Sequence, residues 1–512
     1  MIRLGARRLL KVSARTGFSF RFASTSFTND KNLNAIYTKV DELEPKFIQR
    51  IKDAVKIPSV SSELERRPEL FRMAEWLQKE AKGLDINLTA HDPGFQSPGV
   101  KLPPILVGNY PSVPLPEKKT ILVYGHYDVQ PANIEDGGWE ADPFTVVEKP
   151  DGRLVARGIT DDKGPVMGWL NAIEAYQAAG VELPVNVIFC IEGMEENGSE
   201  GLDEFIASEK AHELFKDVDA ICISDNYWLG TKKPVLTYGL RGCSYYAITV
   251  EGPNTDLHSG VFGGTVCEPM TDLTQLLASL VKPAKDAYKI QVPGVAEMVA
   301  PVTDAERRVY EPIDYNLTDL ADSLGGRDCS LHATKADTLM ARWRMPALSI
   351  HGIEGAFAQP GAKTVIPAKV TAKISIRTVP NIAPSRLNEL VTEYVHNQFG
   401  QLGTKSSVKV DVVHEGNWWV SDPNNWSFEA AKQATRAVWG VDPDLTREGG
   451  SIPVTLTFEK ELQKPVLLLP MGRGDDGAHS TMEKLDKQNY IQGTKTLASY
   501  LYFAAKAKTD TN

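Results

Sequence analysis

Histidine and carboxylate side chains recur where short apolar runs of this chain end. TILVYG (120–125) runs into His126 and Asp128, and VNVIFCI (185–191) runs into Glu192, Glu195 and Glu196. AICI (220–223) is followed by Asp225, and PVLLLP (465–470) by Asp475, Asp476 and His479. A fifth segment, RGITDDKG (157–164), sets Asp161 beside Asp162 just ahead of a helix-like stretch. Any one of these clusters, taken singly, reads as a solvated loop or a helix-terminal charge. Their repetition changes the reading, because ligands of open α/β sheets sit beyond the carboxyl ends of strands. Carboxylates gathered in one crevice repel each other unless a cation lies between them. The pattern therefore predicts metal. Two imidazoles and several carboxylates, with no thiolate, suit Zn²⁺, Mn²⁺ or Co²⁺ rather than a cysteine-type structural zinc site. A carboxylate that bridges would allow two ions about 3.5–4 Å apart, the spacing of two-metal hydrolases.

The elements that must position these residues alternate. Residues 33–84 carry helical periodicity, with Leu70, Ala74, Leu77 and Ala81 on one face. The four apolar runs above read as buried strands, and 166–179 and 489–505 as helices, the first stopped by Gly180. Apolar strands alternating with helices predict an α/β domain with helices on both faces of the sheet. The middle of the chain differs. Residues 243–250 and 369–376 alternate apolar and polar, and 387–398 is amphipathic. This predicts a smaller α+β unit over 240–413, inserted between catalytic segments 30–239 and 414–512, a normal domain size.

The chain has 512 residues, 42% of them hydrophobic and 24% charged, which suits a folded globular protein. Its formal charge of −10 disfavours general attraction to nucleic acid. No run is long enough and apolar enough to read as a membrane span. The five cysteines show no CxxC spacing and read as reduced thiols. Residues 1–29 hold six basic residues and no acidic one, with Ser13, Ser19, Ser24 and Ser26 among them. That is the composition of a mitochondrial transit segment. The alternative is a basic tail on a cytoplasmic protein.

Taken together, GHYDVQP, GWEADPF, ARGITDDKGP, EGMEENGSEG, ISDNYWLG, DLHSG, REGGSIPVT and DDGAHS resemble the two-metal metallopeptidases of the aminoacylase/carboxypeptidase group. The match is closest to its dipeptidase branch, of the carnosinase and fungal Cys-Gly metallodipeptidase type. It spans residues 32–507 in order. The resemblance implies a zinc-peptidase-like catalytic domain with a largely parallel mixed sheet, interrupted by an α+β lid and dimerisation domain.

It also implies roles. His126 and Asp225 would be terminal ligands of one divalent ion, Glu196 and His479 of the other, with Asp161 bridging. Asp128 would orient His126, and Glu195 would be the general base. A cis peptide is implied after Asp161. His258 in DLHSG would reach the partner's active site in a homodimer. Thr364, Arg377, His414 and Ser451 match substrate-binding positions, and a guanidinium fork suits the carboxylate of a peptide. The implied reaction is hydrolysis of dipeptides with free termini, Cys-Gly from glutathione breakdown among them, with Asp rather than Glu at position 225 marking dipeptidase activity. Two other readings stand beside it. One is an N-acyl amino acid deacylase of the same family; the other is a non-catalytic protein that kept the fold, which the intact ligand set disfavours.

Overall fold

A computed structural model describes residues 27–323, 327 and 329–508. The transit-like segment therefore lies, apart from residues 27–29, outside the described residues. At its edge the Phe27 amide donates to the Ala437 carbonyl at 3.2 Å. Asp30 then caps helix Lys31–Glu42 by accepting from the amides of Asn32 and Leu33.

A nine-stranded mixed sheet forms the larger unit. Its centre is parallel: Asn186–Glu192, Thr120–His126, Ala220–Ile223 and Val466–Leu468 lie side by side. These are the four apolar runs of the sequence, and the first three are buried along their whole length. Burial on both faces removes any need for polar alternation. Antiparallel strands flank the centre, with Ile105–Tyr110 on one side and Val235–Leu240 on the other. The sheet is thus parallel in the middle and mixed at its margins.

Helices cover both faces. Helix Lys163–Ala179 lies in the core, its first fourteen residues buried, and ends at Gly180 with a left-handed φ of 64°. Only a residue without a Cβ takes that conformation freely. The C-terminal helix Lys487–Lys506 packs beside it, with Tyr176 Oη donating to the Ala498 carbonyl. The helical region 33–84 comprises three helices, Lys31–Glu42, Glu44–Val55 and Arg67–Lys82. Proline near the start of the second and third sets those breaks.

Strands Gly242–Glu251, Lys369–Thr378, Ala347–Glu354 and Ser407–Gly416 form a separate antiparallel sheet. Helices Pro269–Leu280 and Pro384–Gln401 bury one face of it through Leu273, Leu277, Leu387 and Val391. This sheet accounts for the polar alternation read in its strands. One feature was not legible in sequence. Between these strands the chain returns to the larger unit, where Tyr310, Leu339 and Trp343 pack with Trp228, Leu229 and Val235. Among the described residues no helix is long and apolar enough to cross a membrane.

Candidate metal centre

The strand Thr120–His126 delivers His126 at its last position, fully buried. Asp161 lies in the loop entering helix Lys163–Ala179. The side chains that follow it come so near strand Thr120–His126 that a Cβ on Gly125 would sit 2.7 Å from Asp162 Oδ2 and 2.6 Å from Val166 Cγ2. Glycine at 125 is what lets the two segments touch. Glu195 and Glu196 open a short 3-10 turn after strand Asn186–Glu192. Asp225 follows strand Ala220–Ile223 by two residues. His479 comes from the loop after Val466–Leu468, with a left-handed φ of 62°. The Asp161–Asp162 peptide is cis.

These residues converge into two donor sets that share Asp161. His126 Nε2 lies 3.2 Å from Asp161 Oδ1 and 3.7 Å from Asp225 Oδ2. His479 Nε2 lies 3.1 Å from Asp161 Oδ2 and 2.9 Å from Glu196 Oε2. Asp161 therefore offers one oxygen to each side. Asp128, itself buried, sits behind His126 with Oδ1 3.2 Å from Nδ1, which leaves Nε2 facing the cluster. Asp128 also accepts the amides of Glu195 and Glu196 at 3.2 and 3.0 Å. Glu195 is near but outside both sets, its Oε2 3.9 Å from His126 Nε2.

The electrostatics are those of a carboxylate crowd. Burial raises Glu195 well above its ordinary value; the His126 imidazole opposes this, and the charges of Asp225, Glu196 and Asp161 add to it. Burial likewise raises Asp225 and Glu196. For Asp161 burial pulls the same way, but hydrogen bonds from both imidazoles prevail and hold it below the usual range. Those bonds, to Asp161 and then Glu196, push His479 up to about 11. Among the described residues no lysine or arginine forms an ion pair with Asp161, Glu195, Glu196 or Asp225. Oxygen and imidazole donors with no fixed cation between them fit divalent metal.

Other acidic residues from the same sequence clusters go elsewhere. Asp475 and Asp476 face Lys484, whose Nζ lies 2.9 and 2.7 Å from their carboxylates. Glu192 accepts from Tyr124 Oη and Ser199 Oγ and is pushed by burial up to about 7. Asp162 accepts the His126 amide at 3.1 Å. Gln130 was passed over in sequence although it stands in GHYDVQP. Its Nε2 donates to Glu196 Oε2 at 2.8 Å and so orients that carboxylate. Its place two residues after Asp128 was the only signal.

The expected substrate residues fall into separate groups. Arg377 Nη1 donates to Ser451 Oγ at 3.0 Å. Ser451 Oγ in turn donates to the Arg241 carbonyl at 2.6 Å. His258 and Thr364 lie together, their Nε2 and Oγ1 3.4 Å apart, on the short strand pair Leu257–His258 with Val365–Ile366. His414 is exposed and pairs with Tyr245, two positions along from the Cys243–Arg377 pair. It therefore shares a face of the smaller sheet with Arg377. Among the described residues no hydrogen bond or ion pair joins these five residues to the cluster around Asp161 within the single chain.

A two-unit fold carrying this donor set defines a class, and the comparisons agree. The model of peptidase family M20/M25/M40 matches residues 122–502. The chain belongs to that family and is a peptide hydrolase whose centre takes divalent metal. It is 55% identical to the Cys-Gly metallodipeptidase DUG1 of Candida albicans over 94% of this chain and 100% of the relative. It is 40% identical to the human Beta-Ala-His dipeptidase over 91% of this chain and 92% of the relative. The solved di-peptidase Dug1p of Saccharomyces cerevisiae superposes with a TM-score of 0.88 at 50% identity, covering 94% of this chain and 99% of that one.

Proposed function

We propose that this protein is a two-metal dipeptidase that hydrolyses dipeptides with free amino and carboxyl termini, Cys-Gly among them. One observation carries the reading: two donor sets share Asp161, with Glu195 beside them and bound to neither. The names of the relatives, Cys-Gly and Beta-Ala-His dipeptidases, support the substrate class. His126, Asp161 and Asp225 would hold one ion, and Asp161, Glu196 and His479 the other, as Zn²⁺ or Mn²⁺. Bound there, such ions supply Lewis acidity, which polarises a carbonyl and makes water a nucleophile near neutral pH.

The chain's own residues would do the rest. Glu195 takes the proton of the attacking water and returns it to the leaving nitrogen, reversing from base to acid. Its partly buried place at the edge of the centre suits both roles. Arg377, steadied by Ser451, holds the substrate carboxylate, with His414 on the same sheet face, and Thr364, beside His258, meets the substrate from the side of His258. His258 donates to the developing oxyanion. Its hydrogen-bond partners are Gly260 and Thr364 rather than the centre of its own chain, and we assign it to the active site of a partner subunit in a homodimer. Asp225 and its neighbours favour the free amino group. The transit-like segment 1–29 directs the protein to mitochondria.

A dipeptide panel with chelator-stripped protein, restored with Zn²⁺ or Mn²⁺, tests this reading. Cys-Gly and Ala-Gly should be cleaved far faster than N-acetyl amino acids. A preference for the N-acetyl compounds would make the enzyme a deacylase.

A further inference from the structure

Glu483 takes no part in the chemistry above, yet it is completely buried and its carboxylate is saturated with donors. Oε2 accepts from Arg157 Nη1 at 2.7 Å and from the Gly158 amide at 3.0 Å. Oε1 accepts from the amides of Thr160 and Asp161 at 3.0 and 3.3 Å. A carboxylate offers about four lone-pair sites, so this one is fully used. Three of the four donors are backbone amides of the loop that carries Asp161. Asp476 makes a second grip. Its Oδ2 accepts from Thr160 Oγ1 at 2.9 Å and from the Arg473 amide at 3.0 Å. His479 lies in the chain between Asp476 and Glu483. The segment bearing His479 thus holds the segment bearing Asp161 from both sides.

We infer that Glu483 is a positioning residue, which fixes Asp161 relative to His479 so that both donor sets stand ready for a cation. The inference rests on the proposed two-metal site. Only a carboxylate meets this demand. Glutamine has one acceptor oxygen, and its NH₂ would be turned on the loop amides or on Arg157. A buried network left partly satisfied is worse than none, so the loop would shift to find other partners. Groups that orient a metal ligand commonly account for a 10–100-fold difference in metal affinity.

The test is Glu483→Gln, purified, stripped with chelator and titrated calorimetrically with Mn²⁺. The expected result is affinity at least tenfold weaker than wild type. Hydrogen exchange should quicken at amides 158–161 while that of strand Lys369–Thr378 stays unchanged. A folded variant whose affinity falls less than tenfold overturns the inference. If Glu483→Gln does not fold, Glu483→Asp decides. It keeps the charge and draws the carboxylate one methylene back from the amides of 158–161, and it should weaken Mn²⁺ binding at least threefold; a smaller loss overturns the inference. Wild-type protein that binds no Mn²⁺ counts against the metal site itself, and the inference falls with it. Wild-type binding matched by the variants counts against Glu483 alone.

Discussion

Glu195→Gln isolates proton transfer from metal binding. The carboxylate lies 3.9 Å from His126 Nε2, beyond hydrogen-bond reach, and belongs to neither donor set. Its backbone amide donates the hydrogen bond to Asp128 Oδ1, which survives the change. Glutamine has the same shape, so the cluster should keep its geometry and its affinity for Mn²⁺ to within about threefold, since no metal ligand or orienting partner is removed. What is lost is the carboxylate proposed to carry the proton. General acid–base catalysis is worth about 10²–10⁴ in rate, or roughly 3–5 kcal/mol at 1.36 kcal/mol per tenfold. Glu195 would act at two steps, so the loss should fall at the upper end. The assay is steady-state hydrolysis of Cys-Gly by Mn²⁺-loaded protein across pH, with metal content measured on the same samples. Wild type should lose kcat/KM as pH falls through the pKa of the general base, because the base is then protonated. In Glu195→Gln that acidic limb should vanish from the residual rate. Turnover within tenfold of wild type, at equal metal content, would refute the assignment.

Further outcomes follow from the same geometry. In metal-free protein the His479 pKa, raised to about 11 by Asp161 and Glu196, keeps the imidazole protonated at pH 7. Metal must displace that proton, so affinity should rise with pH, and calorimetry in two buffers of different ionisation enthalpy should show at least one proton released. The same shift, being upward, stabilises the metal-free fold fully below the free histidine value of about 6.5 and is lost as pH rises through about 11. Thermal melts of stripped protein should therefore fall between pH 7 and 11, by more than those of His479→Ala. Arg377→Met removes a charged hydrogen-bond partner worth about 1.5–3 kcal/mol, so KM for Cys-Gly should rise roughly ten- to a hundredfold with kcat changed less. His258→Ala and Glu195→Gln, each inactive alone, should regain part of wild-type activity when mixed and allowed to exchange subunits. One mixed site then has Glu195 from one chain and His258 from the other. No recovery would place His258 outside the partner's site.

What the sequence discloses follows the physics of each part. Buried parallel strands must be apolar throughout, so TILVYG, VNVIFCI and AICI declare themselves and point to the residues at their ends. Strand direction leaves no such mark: the antiparallel neighbours Ile105–Tyr110 and Val235–Leu240 are also largely buried, so the mixed pattern emerges only in the structure. Which acid in a pair does what is a matter of direction. Asp161 and Asp162 are neighbours, yet one faces two imidazoles and the other a backbone amide. Asp476 stands three residues before His479 and meets Lys484 and Thr160. Glu483 sits in an unremarkable stretch, TMEKLD, and only the fold shows it buried against the Asp161 loop. Long-range pairing of this kind leaves no local periodicity. The proposed reach of His258 into a partner's active site would be a property of two chains, which one chain's spacing does not contain.

Metal content set against activity tests the central claim most directly. Purified protein, stripped by chelator and titrated with Mn²⁺, should bind two ions per chain and recover Cys-Gly hydrolysis in step with loading. Asp161→Ala, which removes the shared donor, should lose both the ions and the activity. Undiminished hydrolysis by fully stripped wild-type protein, or two ions still bound by Asp161→Ala, would contradict the account.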